Sequence, residues 1–203
     1  GKNAIIVLDD ADLELAVDGC LWGAFGTSGQ RCTATSRIIL QRGIHDRFLA
    51  ALEKRARELK LGNGLEAGVQ VGPVVNEKQM RRILDYIAIG KSEGARLVLG
   101  GEQVTSGACG QGYFIAPTIF AGVKPKMRIA QEEIFGPVVS LLSCEGLEDA
   151  IAIANDVPYG LSSSLYTANV NAAFRALRDL DTGIVYINAP TIGAEVHLPF
   201  GGV

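Results

Sequence analysis

Two rhythms of apolar and polar positions alternate along the chain. Ala4–Leu8 is an unbroken apolar run, and Arg37–Gln41 and Val138–Leu142 are nearly so, which is the pattern of strands covered on both faces. Between them, apolar residues recur at helical spacing. Leu13, Ala16, Val17, Cys20, Leu21 and Ala24 share one helical face. Phe48, Leu49, Leu52 and Leu59 lie in a second helix from Ile44 to about Leu61, and Met80, Ile83, Leu84 and Ile87 in a third from Asn76 to near Gly94. Asp9, Asp10 and Asp12 supply capping and negative charge at the first helix start, and Gly62-Asn63-Gly64 closes the second. Gly68–Val75 reads as a loop, Arg96–Leu99 as a short strand, Gly100–Gly112 as a surface loop carrying Cys109, and Tyr113–Phe120 as one extended stretch. A helix over Leu147–Asn155, a strand over Ser162–Thr167, a helix over Asn169–Leu180, a strand over Gly183–Asn188 and a loop over Ala189–Val203 complete the pattern. Strands alternating with helices predict an α/β three-layer sandwich: a mostly parallel sheet with helices on both faces.

Composition narrows the function classes. The 203 residues are 48% hydrophobic and 20% charged, as in an ordinary folded domain. A net charge of −3 provides no basic field for nucleic acid or an anionic membrane surface. No apolar stretch approaches the roughly 20 residues of a membrane helix. The cysteines at 20, 32, 109 and 144 show no Cys-x-x-Cys spacing. Neither a metal site nor a disulfide framework is expected, and a reducing, cytoplasmic setting is.

The candidate chemistry centres on Phe25-Gly26-Thr27-Ser28-Gly29-Gln30-Arg31-Cys32-Thr33-Ala34-Thr35-Ser36, between the first helix and the second strand. Its glycines permit left-handed backbone and close approach. A thiol in such a turn can expose its sulfur beside backbone N–H donors, as a nucleophile needs, and Arg31 adds a nearby positive charge. A buried cysteine at a helix end is the alternative that local chemistry leaves open. The segment Glu132-Glu133-Ile134-Phe135-Gly136-Pro137 offers a carboxylate able to accept from a diol and an aromatic able to pack on a planar ring; by itself it also reads as a charged turn ahead of a strand. Gln79 and Arg82 read as a solvated helix face.

Gly29-Gln30-Arg31-Cys32-Thr33 and, about a hundred residues on, Glu133-Ile134-Phe135-Gly136-Pro137 resemble the active-site cysteine motif and the Glu-x-Phe-Gly-Pro segment of the aldehyde dehydrogenase superfamily. Gly1-Lys2-Asn3, Tyr159-Gly160-Leu161-Ser162, Gly183–Asn188 and Pro199-Phe200-Gly201-Gly202 follow in family order, so the resemblance covers residues 1–203, read as a catalytic domain. It implies oxidation of a small-molecule aldehyde with NAD or NADP. Cys32 would be the nucleophile, forming a hemithioacetal and then a thioester, with its own N–H as half of the oxyanion hole. Glu133 would bind the nicotinamide ribose and Phe135 would pack against the cofactor, with Glu132 as support; the family's helix equivalent to the one carrying Gln79 and Arg82 can touch the cofactor from across the domain cleft, an alternative to their reading as a solvated face. The wording Pro190-Thr191-Ile192-Gly193-Ala194-Glu195 is similar to members acting on carboxylated semialdehydes, the α-ketoglutaric and α-aminoadipic semialdehyde dehydrogenases. That makes Arg31, Thr33, Gly193, Ala194 and Phe200 the expected substrate contacts.

The family's general-base glutamate, its Rossmann-type half and the second oxyanion donor have no counterpart in these residues, and no Gly-x-Gly-x-x-Gly follows a strand. Both chain ends read as cut. The expectation is a domain from a longer protein, a homodimer or homotetramer when whole, and inactive as this piece alone. Competing readings are a Cys–His acyl-transfer hydrolase using Cys32 and His197, and a non-catalytic domain that kept the fold. CoA-acylating and non-phosphorylating glyceraldehyde-phosphate chemistry remain open within the resemblance.

Overall fold

The computed structural model describes residues 1–193 and 196–203. In order, the elements are β1 (Asn3–Val7), α1 (Leu13–Phe25), β2 (Thr35–Gln41), α2 (Arg42–Arg57), α3 (Glu77–Ser92), β3 (Arg96–Leu99), β4 (Gln103–Val104), β5 (Phe114–Ile115) and β6 (Thr118–Ala121). Then come α4 (Arg128–Gln131), β7 (Val138–Cys144), α5 (Leu147–Asn155), β8 (Ser162–Tyr166), α6 (Val170–Asp179) and β9 (Ile184–Ile187). The main sheet has the order β3-β6-β7-β2-β1-β8-β9. Every neighbouring pair is parallel except β3 with β6, at one edge.

The apolar runs are unbroken because both sheet faces are covered. Side chains alternate across a strand, so Ile5 and Val7 of β1 join Ile38 and Leu40 of β2 beneath α1 and α2. Ala4 and Ile6 join Ile39 in the opposite core, beneath α3, α4, α5 and α6. Ile5, Ile6, Ile38, Ile39 and Leu40 are fully buried, each contributing roughly 1.5–3 kcal/mol of burial free energy. Cys20 lies in the α1 core as expected, and burial pushes its thiol pKa up. The three-layer α/β arrangement is the one expected from the sequence.

Four details differ from that expectation. Tyr113–Phe120 is not one strand: Pro117 has no N–H for a ladder. The stretch divides into β5, which pairs with β4 in a separate ribbon, and β6, which enters the main sheet. The loop over 100–112 accordingly contains β4, and a 3-10 turn over Gly107–Gln111 buries Cys109. The second helix starts at Arg42, directly after β2, because Asp9 from the end of β1 accepts from the Ile44 N–H at 2.9 Å. The one-turn α4 was not foreseen; the Glu93 carboxylate caps it, accepting from Arg128 N–H at 3.0 and 3.1 Å. In both helices the capping carboxylate is distant in sequence.

This topology positions the two motifs. β2 and β7 are adjacent and parallel, with Arg37 opposite Ser140. The cysteine loop leads into β2 and the Glu132–Pro137 segment into β7, so both arrive at the same end of the sheet.

Candidate active site

The cysteine loop leaves α1 through two consecutive left-handed residues, Ser28 at φ 54° and Gly29 at φ 66°. That reversal lifts Arg31 and Cys32 to the surface, and both are exposed. Four polar side chains anchor the loop. Asn3, at the start of β1, donates through Nδ2 to the carbonyls of Cys32 at 2.8 Å and Ala34 at 2.9 Å. Gln30 accepts from Val75 N–H at 2.9 Å and donates to the Pro73 carbonyl at 3.2 Å, while Ser28 Oγ donates to the Gly72 carbonyl at 2.8 Å. Thr191 Oγ1 donates to the Thr33 carbonyl at 2.7 Å and lies 2.9 Å from Thr35 Oγ1. The cysteine carbonyl is therefore engaged from below. Among the described residues nothing accepts from the Cys32 N–H, which leaves it available to a developing oxyanion.

Glu133 and Phe135 meet this loop. A depression is lined by Gly1, Gly29, Arg31, Ser36, Glu133 and Phe135. Gly1 packs against the Cys32 carbonyl and lines the same depression as Glu133. The acid and the thiol loop thus share one opening. Gly29 and Gly136 are in backbone contact: a Cβ on Gly29 would stand 1.9 Å from the Gly136 carbonyl oxygen. Phe135 has φ 61° and an exposed ring. For a residue of its size that backbone is strained, and such strain persists only where the surroundings enforce it.

The two neighbouring acids are separated by their partners. Glu132 is held by Arg128, at 2.8 and 2.9 Å, and by the Tyr86 hydroxyl at 2.7 Å. Hydrogen bonds from Arg128 and then Tyr86 pull its pKa down to about 2. Glu132 is a structural anchor, as expected, and Glu133 faces the depression.

The solvated-face reading of Gln79 and Arg82 is incomplete: Arg82 is exposed and Gln79 half-buried, yet both side chains bond across to the second motif. Gln79 Nε2 donates to the carbonyls of Ile134 at 2.9 Å and Phe135 at 3.0 Å, and Arg82 donates to the Glu133 carbonyl at 2.9 Å. Both grip the main chain of the second motif. Sequence reasoning also gave Asn3 no role at the site; the one available signal was a polar residue opening an otherwise apolar strand.

The expected substrate contacts are placed unevenly. Arg31 lines the depression. Thr33 is buried, and its carbonyl accepts from Thr191, so it braces the loop from beneath. Gly193 is exposed two residues beyond the Thr191 anchor, and Ala194 lies outside the described residues. Phe200 is exposed on the tail, whose end packs on Gly160, with Val203 N–H donating to the Gly160 carbonyl at 3.2 Å. Among the described residues no hydrogen bond joins His197 to Cys32, so the Cys–His pair is not formed. No group of three or more His, Cys, Asp and Glu that could hold a metal ion occurs among them either.

The sequence model of the aldehyde dehydrogenase family matches residues 1–203. The chain belongs to the aldehyde dehydrogenase family. An alpha-ketoglutaric semialdehyde dehydrogenase of Bacillus subtilis is 46% identical over 203 residues, covering 100% of this chain and 42% of the relative. The structure of a Staphylococcus aureus betaine aldehyde dehydrogenase in complex with NAD+ superposes with a TM-score of 0.97 at 39% identity, over 100% of this chain and 40% of that one. A 1-pyrroline-5-carboxylate dehydrogenase from Thermus with bound NAD gives a TM-score of 0.94 at 45% identity, over 100% of this chain and 38% of that one. The chain therefore spans about two fifths of the length of these aldehyde dehydrogenases.

Proposed function

We propose that the protein containing this chain is an NAD(P)-dependent aldehyde dehydrogenase, that residues 1–203 are its catalytic domain, and that its substrate is a carboxylated semialdehyde. The observation that carries the reading is the exposed Cys32 with an unspent N–H, held on a braced loop whose Gly29 and Arg31 line one depression with Glu133 and Phe135. Cys32 as thiolate attacks the aldehyde carbon. A C–S bond forms, the carbonyl electron pair moves to oxygen, and the Cys32 N–H donates to that oxygen.

The residues present fit a nicotinamide cofactor: Glu133 lines the depression, where its carboxylate can accept from a ribose diol, and the Phe135 ring is open to packing. Glu133 and Phe135 would hold the group, which when bound supplies the acceptor for the hydride that leaves the former aldehyde carbon. The acyl group then remains on Cys32 as a thioester, and water releases it as the acid and restores the thiol.

The carboxylate part of the reading is supported by Arg31 beside Cys32, by the exposed Gly193 held near the loop through Thr191, and by the name of the Bacillus relative. With the cysteines free, the reading also carries a cytoplasmic setting, and homodimers or homotetramers as the assembly. In steady-state kinetics of the intact protein, α-ketoglutaric semialdehyde should exceed an uncharged aldehyde of equal length in kcat/KM by about a hundredfold, and Cys32→Ala should abolish turnover. Equal values for the two aldehydes would remove the carboxylate reading; turnover by Cys32→Ala would remove the dehydrogenase reading.

A further inference from the structure

Lys2, just ahead of β1, is a lysine only 1% exposed. Its Nζ has no partner among the described residues, and neither has the buried hydroxyl of Ser162 at the start of β8. Both residues line one small cavity, with Arg37, Ala154, Ser163 and Thr182 among its other walls. No residue lines both this cavity and the depression beside Cys32. Buried polar atoms are almost always bonded, to protein or to a bound species. Two orphans in one enclosure therefore mark a place where something sits. The cavity offers about 10 Å3, room for one small species and no more.

Charge decides which species fits. The lining carries two cationic side chains and, among the described residues, no carboxylate. Arg37 spends its three nitrogens on main-chain oxygens: Nε donates to the Lys2 carbonyl at 2.9 Å, and Nη1 and Nη2 to the carbonyls of Ile153 and Ala154 at 2.9 and 2.8 Å. Those bonds satisfy its donors and leave its charge unopposed in the cavity. The hydroxyls of Ser163 and Thr182 are 2.6 Å apart and occupy one another. The free groups are thus an ammonium and one hydroxyl, both able to donate. A water molecule would bond to them but would not offset the positive charge, whereas a small anion does both. Burial, followed by the charge of Arg37, lowers the Lys2 pKa from 10.5 to about 7, against the opposing pull of Glu132. An anion at Lys2 acts in the direction of Glu132 and keeps the proton on. Lys2 reaches in on a flexible stem, so the opening adjusts to an ion a little larger than water.

We propose that this cavity is a structural site for a single halide-sized anion, held between the Lys2 ammonium and the Ser162 hydroxyl with Arg37 alongside. The site is independent of the reaction proposed above. Its test uses the intact protein and the variants Lys2→Met and Ser162→Ala. The first readout is stability, from urea melts in chloride at constant ionic strength with gluconate as the balancing anion. At pH 6, each tenfold rise in chloride above its dissociation constant should raise the folding equilibrium constant about tenfold. At pH 9 the same gain should need about a hundredfold more chloride, because only the protonated Lys2 holds the ion. Lys2→Met should remove the chloride response, and Ser162→Ala should weaken chloride binding about tenfold. The second readout is a crystal of the intact protein grown in bromide, which should show an anomalous peak in contact with Lys2 Nζ and Ser162 Oγ.

A cavity holding only water in the bromide crystal would overturn the site. So would a carboxylate from elsewhere in the intact protein seated on Lys2 Nζ. A bromide peak without any dependence of stability on chloride would mean an adventitious ion only, and an equal chloride response at pH 6 and pH 9, or one that survives Lys2→Met, would mean that the ion acts elsewhere on the protein. Should Lys2→Met fail to fold, the bromide peak and the pH-dependent chloride response of the unmodified protein, with Ser162→Ala beside it, decide the matter by themselves.

Discussion

Gly29 is where the cysteine loop and the Glu132–Pro137 segment touch, and replacing it by alanine tests whether that contact sets the active-site geometry. The added Cβ would stand 1.9 Å from the Gly136 carbonyl oxygen, 2.3 Å from its carbon and 3.0 Å from Pro137 N. All three are main-chain atoms, so no side chain can swing away; the segments must part by about 1.5 Å to reach ordinary contact distance. The residue also has φ 66°, which costs an alanine roughly 1–2 kcal/mol. A misplacement of about 1 Å between reacting groups can cost about a hundredfold in rate. Gly29→Ala in the intact protein should therefore lower kcat/KM about a hundredfold while stability falls by only about 1–3 kcal/mol. Gly122→Ala is the matched control: it has the same φ of 66°, with nothing within 4 Å of the added carbon. It should incur the backbone cost alone and leave kcat/KM unchanged. Urea melts and steady-state kinetics on both variants check this. Turnover within about threefold of the parent in a folded Gly29→Ala protein, or an equal loss in both variants, would refute the reasoning.

Asn3→Ala removes both donors to the cysteine loop, and the Asn3 Oδ1 that accepts from Ser162 N–H at 3.2 Å. It should lower stability by about 2–3 kcal/mol and change the alkylation rate of Cys32 by iodoacetamide, whereas an unchanged melt and an unchanged alkylation rate would show that the loop needs no brace. Lys2 is buried, its Nζ has no partner among the described residues, and desolvation, with the charge of Arg37 next, lowers its pKa from 10.5 to about 7. Between those values the unfolded chain holds a proton that the folded chain has released, so stability should rise with pH across that window by at most about 1.4 kcal/mol per unit; Lys2→Met should flatten the rise, and urea melts at about pH 6 and pH 9 that keep their difference would refute it.

The alternating apolar runs were enough to read the layers of the fold, because a strand covered on both faces leaves a pattern within its own residues. Cys32, Glu133 and Phe135 were legible for a related reason: their side chains are of the types the proposed chemistry needs, and their neighbours form motifs of recognisable spacing. Asn3, Gln79, Arg82 and Thr191 were not. Each donates to a main-chain carbonyl far along the chain: 29 residues away for Asn3 to Cys32, 55 for Gln79 to Ile134 and 158 for Thr191 to Thr33. Every residue has a carbonyl, so the acceptor leaves no trace in the sequence, and the donor is indistinguishable from any polar residue bound for water.

Gln79 and Arg82 show why periodicity cannot close that gap. At i and i+3 of an amphipathic helix they form a polar stripe, and a solvent-facing helix displays the same stripe. The difference lies in the strand order, which sets β7 beside β2 and its leading segment against α3, and no local window contains that information. Gly29 and Gly136 make the same point through what they lack. Each is visible as a glycine in its own motif, yet the reason for Gly29 is the Gly136 carbonyl oxygen occupying the space a methyl group would fill. The cysteine loop and the carboxylate segment can share one opening because at their contact neither has a side chain to hold them apart.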